Sequence, residues 1–188
     1  MKPRRALAVS FVAAVVLAPP LLASAHPVSV RDGNDAKGRF DIRRVKKFGT
    51  DKPGWRVIVR QRWRAREVVD HGYLLTYLDT FGTSRYDYYA LIRSDGRRMK
   101  GALLRDRARK NDYRVSSLKV WRRDRRSVSM RIPLRRVKTT NKRDHYNWAV
   151  QSVYTSPRCK RVCFDRAPND GGVEEPLGQP APTPAPTG

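Results

Sequence analysis

An all-β fold, an antiparallel β-sandwich of jelly-roll-like form with about eight strands, is what the sequence predicts. Three observations predict it. The runs Val115 to Trp121 and Ser127 to Pro133 alternate in hydropathy on either side of a short polar link. Similar runs recur at short, regular spacing from Phe40 to Tyr154. Helical periodicity is almost absent, and Gly, Pro and Asp punctuate the gaps.

The hairpin is the clearest unit. Val128, Met130 and Ile132 share one face, and Ser127, Ser129 and Arg131 take the other. Leu118 and Val120 oppose Trp121, and Arg122-Arg123-Asp124-Arg125-Arg126 is too polar a link to bury. An apolar hairpin face cannot stay in water, so a second sheet is expected to cover it. In chain order, 26–37 reads as a polar arm, and Phe40 and Ile42 open a strand that continues less regularly through Val45 and Phe48. Pro53-Gly54 marks a turn. From Trp55 to Trp63, Trp55, Val57, Val59 and Trp63 face inward, with Arg56, Arg60, Arg62 and Ile58 outward. Tyr73 to Thr80 and Tyr86 to Ile92 are rich in aromatic and β-branched residues. Asp95-Gly96 signals a tight hairpin turn. Met99, Gly101 and Leu103 alternate on the return, and Tyr146 to Tyr154 supplies a last strand.

The ends of the chain speak about compartment. Met1-Lys2-Pro3-Arg4-Arg5, an apolar run from Ala6 to Leu22 and Ala23-Ser24-Ala25 have the three parts of a secretory signal peptide. The alternative, a membrane anchor, is disfavoured by Pro19-Pro20 and by a run short of the ~20 residues that a span needs. The expected organisation is a signal peptide over 1–25, an arm over 26–37, a sandwich over 38–166 and a disordered Pro/Ala/Thr-rich tail over 167–188. The protein is expected to be secreted, with an association to the cell envelope left open. Cys159 and Cys163 are expected to pair in an oxidising compartment and to clip a local turn. Zinc is the other reading, but two thiols without a nearby His are half a site.

Several stretches together carry a resemblance: Phe40-Asp41-Ile42-Arg43-Arg44-Val45, the Asp79-Thr80 step, Tyr88-Tyr89, Ser127 to Pro133, and Cys159 to Pro168. Over roughly Asp32 to Gly172 the chain resembles uncharacterised secreted proteins of high-GC bacteria, whose sandwich is similar to family nine carbohydrate-binding modules and the related DOMON domains. The resemblance implies a fold and no particular ligand.

Four groups of residues are candidates for chemistry. Asp32, Asn34, Asp35 and Asp41 are an acidic cluster in a chain of formal charge +24, with Asp165 or Asp170 arriving from the other end. Hard oxygen ligands so placed suit calcium, and the resemblance implies a structural calcium as well. The alternative is turn chemistry or pairing with nearby Arg. Basic clusters at Arg43-Arg44-Lys46-Lys47, Arg56-Arg60-Arg62-Arg64, Arg122 to Arg126 and Arg135 to Lys142 would draw in anionic wall polymers, nucleic acid or acidic polysaccharide, or else form a solvated exterior. Tyr86, Tyr88, Tyr89 and Trp121, with Tyr73, Tyr77 and Tyr146 behind them, could stack sugar rings, flanked by Asp87 and Arg105. Trp55, Trp63 and Trp148 read as core. Cleavage after Ala25 would make His26 the first residue, whose amino group and imidazole can chelate copper with His71 or His145 as in the copper monooxygenases. There is no Gly-x-Ser-x-Gly, phosphate loop or His-Glu-x-x-His motif. The expectation is a non-catalytic module for extracellular glycan. A basic protein held by charge to anionic wall polymers is the second reading, and a copper protein the third.

Overall fold

The computed structural model describes residues 27–36, 41–50, 54–61, 72–83, 85–94, 98–107, 110–139, 145–154 and 162–176. Among them the strands are β1 (Val28–Arg31), β2 (Ile42–Gly49), β3 (Gly54–Gln61), β4 (Gly72–Asp79), β5 (Tyr88–Ser94), β6 (Met99–Arg105), β7 (Tyr113–Asp124), β8 (Ser127–Pro133), β9 (His145–Tyr154), β10 (Cys163–Ala167) and β11 (Val173–Pro176). All pairings are antiparallel. They form one eleven-stranded sheet in the order β1-β2-β3-β8-β7-β6-β5-β4-β9-β10, with β11 also on β9. The sheet is strongly curled into a half-barrel. The expected pair of separate stacked layers is therefore one continuous ribbon folded over on itself.

Strand β7 is the reason. Its first part, Tyr113 to Leu118, pairs with β6, and its second part, Lys119 to Asp124, pairs with β8. A strand of 12 residues thus belongs to both halves of the fold. Register shifts at Leu103/Leu104 and at Arg122/Asp124 add bend on either side. Gly101 lies opposite Leu118 at the crossing, where a Cβ would stand 2.4 Å from the Val120 Cγ2 and 3.0 Å from the Leu118 Cβ. Only a residue without a side chain lets the two strands approach there.

The core fills the curl. Val45, Val57, Val59, Val128, Met130 and Ile132 from the first half meet Leu74, Leu78, Ile92, Leu103, Trp148 and Val150 from the second. Trp55 stacks on Tyr146 with ring centroids 4.7 Å apart. The predicted hairpin is β7–β8. Ser129, expected to face water, is buried between Ile58 and Trp121 in the ladder.

The far edge of the sheet returns to β2 and is clasped there by polar groups. Asp165 on β10 accepts the Ile42 N–H. Glu175 on β11 binds the Lys47 ammonium at 2.6 Å. Both carboxylates are inward and buried. Residues 173–176, expected to belong to the disordered tail, are thus a strand that seals the core, and 177–188 lie outside the described residues. So do 1–26, with the expected signal peptide and His26, and so do His71, Trp63 and the Asp95-Gly96 turn. Among the described residues no helix is long and apolar enough to cross a membrane. Cys163, at the start of β10, is not free, and Cys159 lies outside the described residues.

Candidate functional site

The alternation that buries one face of β1, β2, β3, β8 and β7 sends a basic face outward. The cross-strand register aligns it in three rows. Arg31, Arg44 and Arg60 stand directly opposite one another, with Ser127 and Asp124 beyond. Ser29, Lys46, Ile58, Ser129 and Trp121 form the next row, and Phe48, Arg56, Arg131 and Lys119 the third. Two aromatic rings are set among these cations. The Arg56 guanidinium lies 5.4 Å from the Phe48 ring centroid and 4.9 Å from that of Trp121, and the Lys119 ammonium 6.0 Å from Trp121. An Arg in contact with two rings is held in place by cation–π attraction and stacking. At one end of this face a cleft of about 390 Å³ is lined by Arg31, Asp32, Arg43, Arg44 and Arg60.

The acidic cluster stands beside it. Asp32 follows β1, Asp35 lies in the next turn, Asp41 precedes β2, and Asp165 comes from β10. One carboxylate oxygen from each lies within 4.8 Å of the others. Asn34, expected among them, is exposed in the turn between Asp32 and Asp35, and Asp170 is absent from the group. Burial, with repulsion from Asp35, pushes the Asp32 carboxyl up to about 6. Burial also pushes Asp165 up to about 7, with Asp32 among the neighbours that repel its charge. Four carboxylates crowded this way are hard donors for a divalent cation such as calcium, whose charge would remove the repulsion.

The four aromatics expected to bind sugar do not form one platform. Tyr88 is 1% exposed and belongs to the core, because its position on β5 alternates inward with Ala90 and Ile92. Tyr146 is buried too. Trp121 is on the basic face of the first half, whereas Tyr86 and Tyr89 are on the second half, flanking Tyr77. The Tyr77 ring centroid lies 5.0 Å from Tyr86 at 30° and 6.2 Å from Tyr89 at 46°, tilts too large for a flat stacking surface. Tyr89 donates to Asp112 at 2.8 Å, and burial with that contact raises its phenol pKa. Tyr86 instead borders a cleft of about 500 Å³ shared with Asp79, Thr83, Arg85, Asn147, Arg166 and Gly171–Gly172. Asp87 and Arg105 act on the fold. Asp87 accepts the Thr80 and Phe81 N–H groups at 2.8 Å each, and Arg105 lies over Phe81 and Tyr88. His145 pairs with Glu174 at 2.7 Å.

Lys47, expected in the basic surface cluster with Arg43, Arg44 and Lys46, is instead buried. It is 2% exposed, with its ammonium 4.9, 4.7 and 5.6 Å from the ring centroids of Trp55, Tyr146 and Trp148. Glu175 also accepts from Tyr146 at 2.9 Å and from the Trp148 indole. The signal was available in period two, since Lys47 shares its face with the inward Val45.

Comparisons with models of protein families, with curated proteins and with solved structures find no match to this chain.

Proposed function

We propose that this chain is an exported, non-catalytic binding module that docks on an anionic extracellular polymer through the outer face of β1, β2, β3, β8 and β7. The observation that carries the reading is the three-row array of Arg and Lys with Phe48 and Trp121 among them. A curved sheet face of one sign focuses its field on a polymer that lies across several strands, and the rings add contact area with sugar or backbone. Phosphate- or carboxylate-bearing wall polymers and acidic polysaccharides have the matching chemistry. Binding of this kind weakens steeply with salt, because exposed charges are screened over ~8–10 Å at ordinary ionic strength. The test is retention on an immobilised acidic polysaccharide across a salt gradient. Early elution of Arg56→Gln and Lys119→Gln relative to wild type is expected, and retention independent of salt would contradict the reading.

A glycan-directed second reading has its own support in the cleft beside Tyr86, where one ring meets Asp79, Asn147 and two arginines. Sugar binding there would survive salt and be lost in Asn147→Ala. The copper reading has no described residue besides His145 to support it. The acidic quartet is proposed to hold calcium as a structural ion, tying the β1–β2 connection to β10. Calcium should raise the melting temperature of wild type and leave that of Asp35→Asn unchanged. The Cys159–Cys163 pairing stays part of the proposal, and a thiol titre near zero in the exported protein is its expected result.

A further inference from the structure

We infer that the cleft walled by Arg31, Arg43, Arg44 and Arg60 is a subsite for one tetrahedral oxyanion, a phosphate or sulfate group. The inference rests on the reading of the basic face and adds the chemistry of the group it grips.

The backbone builds this cleft. Arg31, Arg44 and Arg60 occupy directly opposed positions on three neighbouring strands. Like charges so placed repel and cost stability. A register shift between Ile42 and Arg44 leaves Arg43 without a ladder partner, and Arg43 and Arg44 both line the cleft. A bulge of this kind re-aims a side chain, and here Arg43 joins the other three arginines in lining the same space. Among the described residues Asp32 is the carboxylate in the wall, and no ion pair there joins it to the four arginines. Its oxygen within reach of the acidic quartet is turned to Asp35, Asp41 and Asp165. Four arginines thus line about 390 Å³ of open space, and the one carboxylate in its wall is committed elsewhere.

Guanidinium geometry selects the ligand. Each fork presents parallel N–H donors to two oxygens. A planar carboxylate satisfies one fork, while a tetrahedral group offers oxygens in several directions to forks arriving from three strands. Lys46 and Lys119, outside the cleft on the same face, supply charge without this geometry.

Orthophosphate and sulfate are titrated at constant ionic strength against chloride, and poly(glycerol phosphate) and dextran sulfate are titrated in parallel. The proteins are wild type, Arg44→Gln, Arg60→Gln, Lys46→Gln and Lys119→Gln. Wild type should saturate with at least one free oxyanion and melt higher in it than in chloride. Arg44→Gln and Arg60→Gln should weaken that anion and its polymer at least tenfold, and Arg44→Gln should melt no lower than wild type without ligand, since a repelling charge has gone. Lys46→Gln and Lys119→Gln should weaken the polymer only. Failure of both free anions to saturate, or equal polymer losses in all four variants, would overturn the subsite and leave the basic face standing. Saturation by a free anion with no polymer binding at low salt would support the subsite and remove the reading of the face. Preference between the phosphate and sulfate arms identifies the group.

Discussion

Lys47 and Glu175 show how a single pair decides the closure of this fold. Two charges taken from water are costly, and here three aromatic faces and two further hydrogen bonds on the carboxylate compensate for that loss. Removing one partner leaves the other buried and unpaired. Lys47→Met or Glu175→Gln alone should therefore cost ~3–5 kcal/mol in denaturant unfolding. The double variant should recover most of it, since Gln still accepts from Trp148. Equal losses in single and double variants would mean that the pair is not coupled. Burial lowers the Lys47 ammonium from 10.5 to about 8, against the opposing pull of Glu175. Between those values the unfolded chain holds the proton that the folded chain releases. Stability from this group is thus complete above 10.5 and is lost as pH falls through about 8. Wild type should gain on the double variant between pH 8 and 10, read as the difference in melting temperature. At this scale the acidic quartet was legible as a run of acids in a basic chain, and Asp165 as its distant member. Lys47 was not, because a lysine beside Arg43, Arg44 and Lys46 reads as surface until period two is applied strictly.

At the scale of the strand, β2 to β9 follow from apolar alternation, and β1, β10 and β11 do not. The reason is what they turn inward. β10 buries Asp165 and Ala167, and β11 buries Glu175, so neither presents an apolar stripe. β1 has only Val28 and Val30 in four residues. Closing strands whose buried groups are carboxylates look like tail or arm in one dimension. The same logic locates the crossing in β7, which sequence shows as half of a hairpin and structure shows as the spine of both halves. Gly101→Ala should destabilise by ~1–3 kcal/mol, because the new methyl meets the stiff Val120 side chain and the backbone of β7. A neutral result in thermal unfolding would show that the strands separate at the crossing without cost.

As a whole the molecule presents two unlike outer faces. The first half is basic, with Phe48 and Trp121 among its cations. The second mixes exposed aromatic and aliphatic residues with scattered cations: Tyr73 and Phe164 are 47% and 66% exposed in line with Val153, Leu75 is in line with Leu91, and Arg93 stands opposite Lys100. Composition alone foretold a strong field and not its placement, because the rows of arginine exist only once register sets Arg31 beside Arg44 and Arg60. The account stands on that aligned array of cations. Lysine acetylation rates, measured with and without an acidic polysaccharide, test it most directly. Lys46 and Lys119 should be protected several-fold while Lys110 and Lys138, off the basic face, react as before. Equal protection at all four lysines, or protection confined to Lys110 and Lys138, would contradict it.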